Sequence, residues 1–182
     1  MKEHLAKVEA TLVAKIKTTF QTKRESPIKI ELAGIPFDRH YGLLRPADMR
    51  QKMYDRGVLI ANRRQITIVS LEECDQIADQ MGLPHILPEW LGANIAIRGF
   101  AKLSHLPQGV RLIFTDGTGL ICEGENQPCM GPAKMIEAHY QIPKLRELFI
   151  PAARKRRGIV CSVEREGEVR EGDAVTIISR GP

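Results

Sequence analysis

The chain has 182 residues, of which 43% are hydrophobic and 5% aromatic, and its formal net charge is +5. This length suffices for one domain with an aliphatic core, and we expect residues 1–182 to form a single domain. No apolar run approaches the roughly 20 residues that a membrane span requires, and the charged start Met1-Lys2-Glu3-His4 does not resemble a signal peptide. The sequence therefore predicts a cytoplasmic protein without a membrane partner.

The N-terminal third shows alternation of apolar and polar residues. Residues 12–20 and 28–32 fit two strands that pair antiparallel, and residues 2–10 fit a helix only weakly. Pro46 fits the first turn of a helix that ends near Gly57.

Alternating strand and helix patterns continue along the rest of the chain. A strand at 64–69 precedes a helix in which Ser70 and Glu73 form a capping box. Further strands are predicted at 95–97, 111–115, 120–123, 159–164 and 175–177, and helices from 133 and over 143–156. Many short antiparallel strands with inserted helices predict a mainly β protein with a partly closed antiparallel β-barrel.

The basic charge favours an anionic partner but does not choose among nucleic acid, phosphate and an acidic cofactor. Its densest cluster, Arg154-Lys155-Arg156-Arg157, ends a predicted helix, where cations complement the helix dipole. We interpret the cluster as a solvated helix end, because a nucleic-acid surface would pair it with stacking aromatics or a recognised motif. Nucleic acid is therefore not an expected partner.

The four cysteines form no Cys-x-x-Cys pair, so a structural zinc site is not expected. Cys74, Cys122 and Cys161 lie in apolar periodic runs and are predicted to be core thiols. Cys129 lies outside any such run, between Pro128 and Pro132, which restrict the backbone. A thiolate held there near arginines could act as a nucleophile or bind a soft metal, and the alternative is an ordinary loop thiol.

Other loops carry polar side chains that could bind a ligand. His40 could bind a metal, donate a proton or contact phosphate, or it could be a structural hydrogen-bonding residue beside Asp38. Asn94 could bind a ligand or stabilise a turn. Planar guanidinium groups suit phosphate, although single arginines are more often surface charges. The arginines with this capacity are Arg39, Arg63, Arg64 and Arg98.

Taken in chain order, five segments resemble the MOSC family, named for the C-terminal domain of molybdenum-cofactor sulfurases. That family has a Gly-Asp-x-His-x-Gly loop, an Arg-Gln strand start, a Leu-Gly-Glu-Asn segment, a Pro-Cys loop and a closing Gly-Asp. The counterparts here are Asp38-Arg39-His40-Tyr41-Gly42, Arg64-Gln65, Leu91-Gly92-Ala93-Asn94, Pro128-Cys129 and Gly172-Asp173. Two positions depart from the pattern. Phe37 replaces a glycine, which could narrow a pocket or alter the loop, and Ala93 replaces a glutamate, which removes a carboxylate.

The resemblance implies a β-barrel related to the pyruvate-kinase barrel, with a pocket for the molybdenum cofactor. It makes Cys129 the candidate molybdenum ligand and catalytic residue. The implied pocket residues for the anionic pterin and its phosphate are Arg39, His40, Arg64, Asn94 and Arg98. In such a site the cofactor supplies the electron chemistry, and the protein supplies orientation and charge.

Two functions stay open on this resemblance. One is an oxidoreductase that reduces N-hydroxylated compounds and works with a redox partner. The other is a non-catalytic carrier or sensor that passes the cofactor or sulfur to an acceptor protein. Pyridoxal phosphate is linked to the family through fused domains, and no lysine in this sequence stands out as a Schiff-base residue.

Overall fold

The computed structural model describes residues 2–16 and 18–179, which form twelve strands and three α-helices. The strands are β1 (Lys2–Val13), β2 (Lys23–Arg24), β3 (Ile28–Ile30), β4 (Leu44–Pro46), β5 (Leu59–Ala61), β6 (Ile66–Ser70), β7 (Ile95–Arg98), β8 (Arg111–Phe114), β9 (Gly119–Glu125), β10 (Ile159–Arg165), β11 (Gly167–Val169) and β12 (Ala174–Ser179). The helices are α1 (Leu71–Met81), α2 (Met130–Tyr140) and α3 (Leu145–Ala153). Within these residues, no helix has the length and apolar composition needed to cross a bilayer.

Seven strands close into a barrel in the order β1, β12, β8, β9, β10, β6 and β7, and β7 pairs with β1 again. Neighbouring strands are antiparallel except β6 and β7, which are parallel and joined by a crossover that contains α1. The predicted mainly β barrel with inserted helices is confirmed. The ring is closed, because β1 pairs with both β12 and β7.

Strand β1 is longer and begins earlier than the sequence pattern indicated. A register shift between Val8 and Ala10 marks a β-bulge, which turns the strand face. Ala6 and Val8 therefore pack inside the barrel, whereas Ala10 and Leu12 pack on its outer side. The predicted strand at 12–20 is wrong beyond Val13. The predicted pairing with 28–32 is also wrong, because β3 pairs with β11. Residue 17, within that prediction, lies outside the described residues.

The apolar residues form two buried clusters on the two faces of the barrel wall. Alternate residues of β6 and β7, such as Ile68 and Ile97, fill the barrel interior, as the period of two requires. Their neighbours Val69 and Ala96 face outward and are covered by the three helices, with Phe149 fully buried between them. The core placement predicted for Cys74, Cys122 and Cys161 is confirmed, since each is at most 1% exposed.

The predicted helix from Pro46 to Gly57 is wrong, because residues 44–61 form the β4–β5 hairpin. The Asp48 carboxylate accepts the backbone N–H of Arg50 at 2.8 Å, a local bond that competes with helical hydrogen bonding. Two apolar residues of this segment, Met49 and Met53, are 80% and 75% exposed, so they do not form the buried face that a surface helix would need. The apolar residues at helical spacing therefore do not pack against the rest of the protein, and the spacing did not indicate a helix.

Candidate functional site

A cavity of about 260 Å³ lies where several loops meet beside the barrel wall. Its walls come from the β1–β2 loop, the loop at 38–40, the β4–β5 hairpin, the start of α2 and the α3–β10 connection. The charged residues that line it are Arg39, Arg45, Asp48, Arg50, Arg64 and Arg157. Cys129 and His40 line the same cavity, so the structure brings together four of the six predicted site residues.

Cys129 is the N-cap residue of α2, with an extended backbone at φ −144° and ψ 172°. Its side chain is half-buried and makes no capping hydrogen bond within the described chain, which leaves the sulfur available to a ligand in the cavity. The other three thiols, Cys74, Cys122 and Cys161, lie in the core, and burial raises the pKa of each. Cys129 is therefore the cysteine placed for chemistry.

Asp38 organises the loop that carries Arg39 and His40. Its carboxylate is buried and accepts the backbone N–H of Ala14 at 2.8 Å and that of His40 at 2.9 Å. His40 Nδ1 lies 3.0 Å from Asp38 Oδ1, which leaves Nε2 as the ring nitrogen available to the cavity. Burial alone would raise the pKa of Asp38, but the hydrogen bonds from His40 and Ala14 outweigh it and lower that pKa.

Asn94 lies behind the cavity wall and is 1% exposed. Its Nδ2 donates to Asp38 Oδ2 at 2.9 Å and to the Leu12 carbonyl at 3.3 Å, and its Oδ1 accepts the Thr67 N–H at 3.0 Å. The side chain thus joins β1, β6 and the Asp38 loop. The structure places this predicted pocket residue as a support for the pocket.

Arg64 and Arg39 occupy different depths of the cavity. Arg64 is half-buried, and its Nη2 donates to Asn126 Oδ1 at 2.9 Å. Burial, and next the nearby charges of Arg50 and Arg45, lower the pKa of Arg64 to about 10. Arg39 is exposed, and its guanidinium carbon lies 5.5 Å from the centre of the Phe20 ring.

Two other candidate arginines lie away from this cavity. Arg98, at the end of β7, is exposed and pairs with Asp75 of α1 at 3.4 Å. Arg63 pairs with Glu123. Neither lines the Cys129 cavity, so the structure does not bring Arg98 to the other predicted site residues.

Arg157 is a cavity residue that the sequence analysis missed, as it also missed Arg45 and Arg50. Its side chain is buried, with 2% exposed, whereas Arg154 and Lys155 are exposed as predicted. Nη2 donates to the Leu91 carbonyl at 2.6 Å, and the guanidinium carbon lies 5.7 Å from the Phe20 ring centre. The solvated interpretation is wrong for this residue. The available signal was its position next to Gly158 and the apolar run of β10.

Gly92 explains how Phe20 is held between Arg39 and Arg157. Its backbone is left-handed, at φ +63°, and a Cβ there would lie 2.7 Å from Phe20 Cε1. Both features require glycine. The neighbouring Ala93, where the resembling family has glutamate, is fully buried in the apolar cluster under the helices.

Phe37, the other departure, does not line the cavity, and its side chain is 82% exposed. Its backbone is left-handed, at φ +67°, where a glycine is unstrained and a phenylalanine is not. The departure therefore strains the loop instead of narrowing the pocket.

Positive charges outnumber negative charges around the cavity. Asp48 pairs with Arg45 at 2.5 Å and with Arg50 at 3.2 Å. Burial raises the pKa of Asp48, but the Arg50 backbone N–H and the Arg45 side chain outweigh it and lower that pKa to about 2. Arg39, Arg64 and Arg157 form no ion pair with any carboxylate in the part of the chain that is described. The arrangement suits an anionic ligand.

A metal ion would find few protein ligands here. Over residues 2–16 and 18–179, no group of three or more His, Cys, Asp or Glu side chains is placed to hold one. Cys129 supplies one soft thiol to the cavity and is surrounded by cations, which suits a metal that arrives with its own anionic ligands.

The chain is similar to one protein family, to a curated relative and to solved structures. The family model of the MOSC domain matches residues 55–176. A relative named "Putative metal-sulfur cluster biosynthesis proteins YuaD", from Bacillus subtilis (strain 168), is 48% identical over 179 residues, covering 98% of this chain and 93% of the relative. The crystal structure of YUAD from Bacillus subtilis matches with a TM-score of 0.95 and 47% identity over 99% of both chains. The crystal structure of YiiM from Geobacillus stearothermophilus shares the fold, with a TM-score of 0.63 and 14% identity over 97% of this chain and 76% of that one.

Proposed function

We propose, because this chain belongs to the MOSC domain family, that its arginine-lined cavity binds the molybdenum cofactor with Cys129 as the protein ligand of molybdenum. One observation carries the proposal. The cysteine outside the core opens onto a cavity lined by five arginines and one carboxylate.

The residues present fit the charge and softness of this cofactor. A thiolate is a soft ligand, which suits molybdenum held by the sulfur atoms of the pterin. The pterin also carries a phosphate dianion, for which guanidinium groups are well-shaped partners. Arg64 and Arg157 supply such groups, and neither forms an ion pair with a carboxylate in the described chain. The cavity therefore matches the two anionic ends of one ligand.

An oxidoreductase that reduces N-hydroxylated compounds is the activity we propose for this site. The bound cofactor would supply two electrons, and removal of a hydroxyl group as water also requires protons. His40 lines the cavity with its Nδ1 held by Asp38, and in its protonated form it would give the Nε2 proton to a substrate oxygen. Arg39 at the exposed side orients anionic substrates or cofactor groups.

The test is molybdenum and pterin analysis of protein purified from a host that makes the cofactor. Wild type should contain both, and Cys129→Ser should lose molybdenum. Cys74→Ala is the matched control, because it removes a buried thiol that does not line the cavity. Molybdenum-free wild-type protein would refute the proposal.

A non-catalytic carrier of the cofactor or of sulfur is the second candidate, and the β4–β5 hairpin favours it. Residues 43–64 contain six cationic and two acidic residues, so most of the net charge of the chain lies there. The hairpin also exposes apolar side chains beside the cavity, namely Leu43, Leu44, Met49, Met53, Tyr54 and Leu59. Such a surface suits an acidic acceptor protein, and the name of the YuaD relative refers to metal-sulfur cluster biosynthesis.

Turnover separates the two candidates. Cofactor-loaded protein is assayed with an artificial electron donor and an N-hydroxylated substrate. An oxidoreductase reduces the substrate, and His40→Gln slows it while molybdenum content is kept. A carrier holds molybdenum but gives no turnover above the free cofactor.

A further inference from the structure

We propose that Arg157 forms a buried binding site for a phosphate dianion in the Cys129 cavity, and that this site works without the rest of the pterin. The proposal deepens the proposed function, since phosphate is the charged end of that cofactor. It rests, however, on side chains of this chain that can be tested with inorganic phosphate alone.

The first support is the state of the Arg157 side chain. It is 2% exposed, yet Nε and Nη1 have no hydrogen-bond partner in the described part of the chain. Only Nη2 is satisfied, by the Leu91 carbonyl. A buried cation without a carboxylate partner is strongly unfavourable. Burial lowers the pKa of Arg157 to about 10, with the nearby Cys129 acting in the opposite direction, so the guanidinium stays charged near neutral pH. The three N–H groups on these two nitrogens therefore have no acceptor in the described part of the chain.

The second support is the presence of another arginine, Arg64, in the same cavity as Arg157. Arg64 lines the same space and lowers the pKa of Arg157 further through like-charge repulsion. Asn126, 6% exposed, holds Arg64 in place through its side-chain oxygen. Arg64 and Arg157 repel each other, and neither forms an ion pair with a carboxylate in the described chain, so a dianion between them would relieve that repulsion. A neutral ligand would not.

The third support is the rigidity of the surroundings. Phe20 lies against the guanidinium of Arg157, and Gly92 allows the ring to approach closely. The Leu91 carbonyl, one residue earlier, fixes the orientation of the same guanidinium. Because these contacts do not involve a ligand, the site is organised before binding, which lowers the entropic cost of association.

The phosphate can be free or carried by the pterin, and two measurements distinguish the sources. Thermal unfolding of cofactor-free protein is followed with increasing inorganic phosphate at pH 7, against sodium chloride of equal ionic strength. Molybdenum and pterin contents are then measured on the same variants purified from a cofactor-making host. The variants are Arg157→Met, Arg157→Lys and the matched control Arg154→Met, which alters an exposed arginine of the same basic cluster.

In wild type, phosphate at ten times its Kd should raise Tm by about 3–6 °C beyond the chloride control. Arg157→Met should show no such rise, and without phosphate its Tm should equal or exceed that of wild type, because a buried unpaired charge is removed. Arg157→Lys should bind phosphate at least about tenfold more weakly, since a single ammonium replaces the fork of donors. Arg154→Met should behave as wild type.

A phosphate-induced rise retained in Arg157→Met would overturn the proposal, as would the absence of a rise in wild type. If Arg157→Met does not fold, unchanged phosphate affinity in Arg157→Lys overturns it instead. The proposed function fails separately. Protein that binds phosphate through Arg157 but purifies without molybdenum supports this phosphate site and refutes the cofactor proposal. Undiminished cofactor loading of Arg157→Met supports the cofactor proposal and refutes Arg157 as the site of its phosphate.

Discussion

Asn94 Nδ2 lies 2.9 Å from Asp38 Oδ2, and this buried hydrogen bond ties the segment before β7 to the loop that carries Arg39 and His40. The pair explains why an aspartate and an asparagine 56 positions apart in the chain belong to one site. Asn94 positions Asp38, and Asp38 positions His40. The cavity-lining side chains are thus supported from behind by two polar residues that do not line the cavity.

The first prediction concerns this support. Asn94→Ala removes three hydrogen bonds and leaves the Asp38 carboxylate, the Thr67 N–H and the Leu12 carbonyl less satisfied. We expect the free energy of unfolding to fall by about 2–4 kcal/mol. Arg98→Ala is the contrast, because its exposed pair with Asp75 contributes about 0–1 kcal/mol. Urea unfolding measures both, and equal losses would contradict the account.

The second prediction concerns Glu73, a buried carboxylate of α1. Ser104 donates to it from N at 2.9 Å and from Oγ at 2.7 Å, yet burial raises the pKa of Glu73 to about 7 from an ordinary value of 4.5. The folded state therefore binds the proton more tightly than the unfolded state. Stability should fall as pH rises from about 4.5 to 7 and stay at the lower level above that.

Glu73→Gln removes this loss, so at pH 8 it should raise the free energy of unfolding by about 1–3 kcal/mol relative to its effect at pH 4.5. Glu72→Gln is the matched control, and its effect should differ little between pH 4.5 and pH 8, because a lowered pKa changes stability mainly below pH 4.5. Burial raises the pKa of Glu72, but the Gly99 N–H and other hydrogen bonds outweigh it, so the charged form is favoured. Urea unfolding at the two pH values checks the pair. A Glu73→Gln effect independent of pH would contradict the prediction.

The third prediction concerns the strained loop residue Phe37. Its left-handed backbone costs about 1 kcal/mol for a residue with a Cβ, and its exposed ring makes little compensating contact. Phe37→Gly should therefore raise the free energy of unfolding by up to about 1 kcal/mol, while Phe37→Ala should not. Thermal unfolding of the three proteins gives the comparison. Greater stability of Phe37→Ala than of Phe37→Gly would show that the strain is not the deciding factor.

The fold followed from the sequence wherever alternation was regular. In β6, β7 and β8, successive residues point to opposite faces of the barrel wall, so the sequence pattern was regular. The Asp116-Gly117 turn marks the hairpin from β8 to β9. Strand β1 was misplaced because its bulge moves Ala10 and Leu12 to the opposite face, which breaks a simple period of two. The β4–β5 hairpin was wrongly predicted to be a helix. Apolar residues at helical spacing do not show whether the fold offers an apolar surface for a helix to pack against.

The site was only partly predictable for a related reason. Cys129 stood out because it lies outside the apolar runs, and the structure places it on the cavity. Arg157 did not stand out, because a charge run gives no sign that its last member turns inward beneath Phe20. The order of the motifs placed Arg98 and Asn94 in the predicted pocket. In the structure, Arg98 pairs with Asp75 away from the cavity, and Asn94 supports the Asp38 loop from behind the cavity wall. Burial of individual polar residues depends on tertiary packing, which local pattern does not contain.

The most direct measurement of the central claim is the molybdenum content per protein molecule of wild type and Cys129→Ser, purified in parallel from a host that makes the cofactor. The account predicts near-stoichiometric molybdenum with pterin in wild type and a loss of at least about tenfold in the variant. Equal molybdenum in both proteins, or none in either, would contradict the assignment of the Cys129 thiolate as the metal ligand.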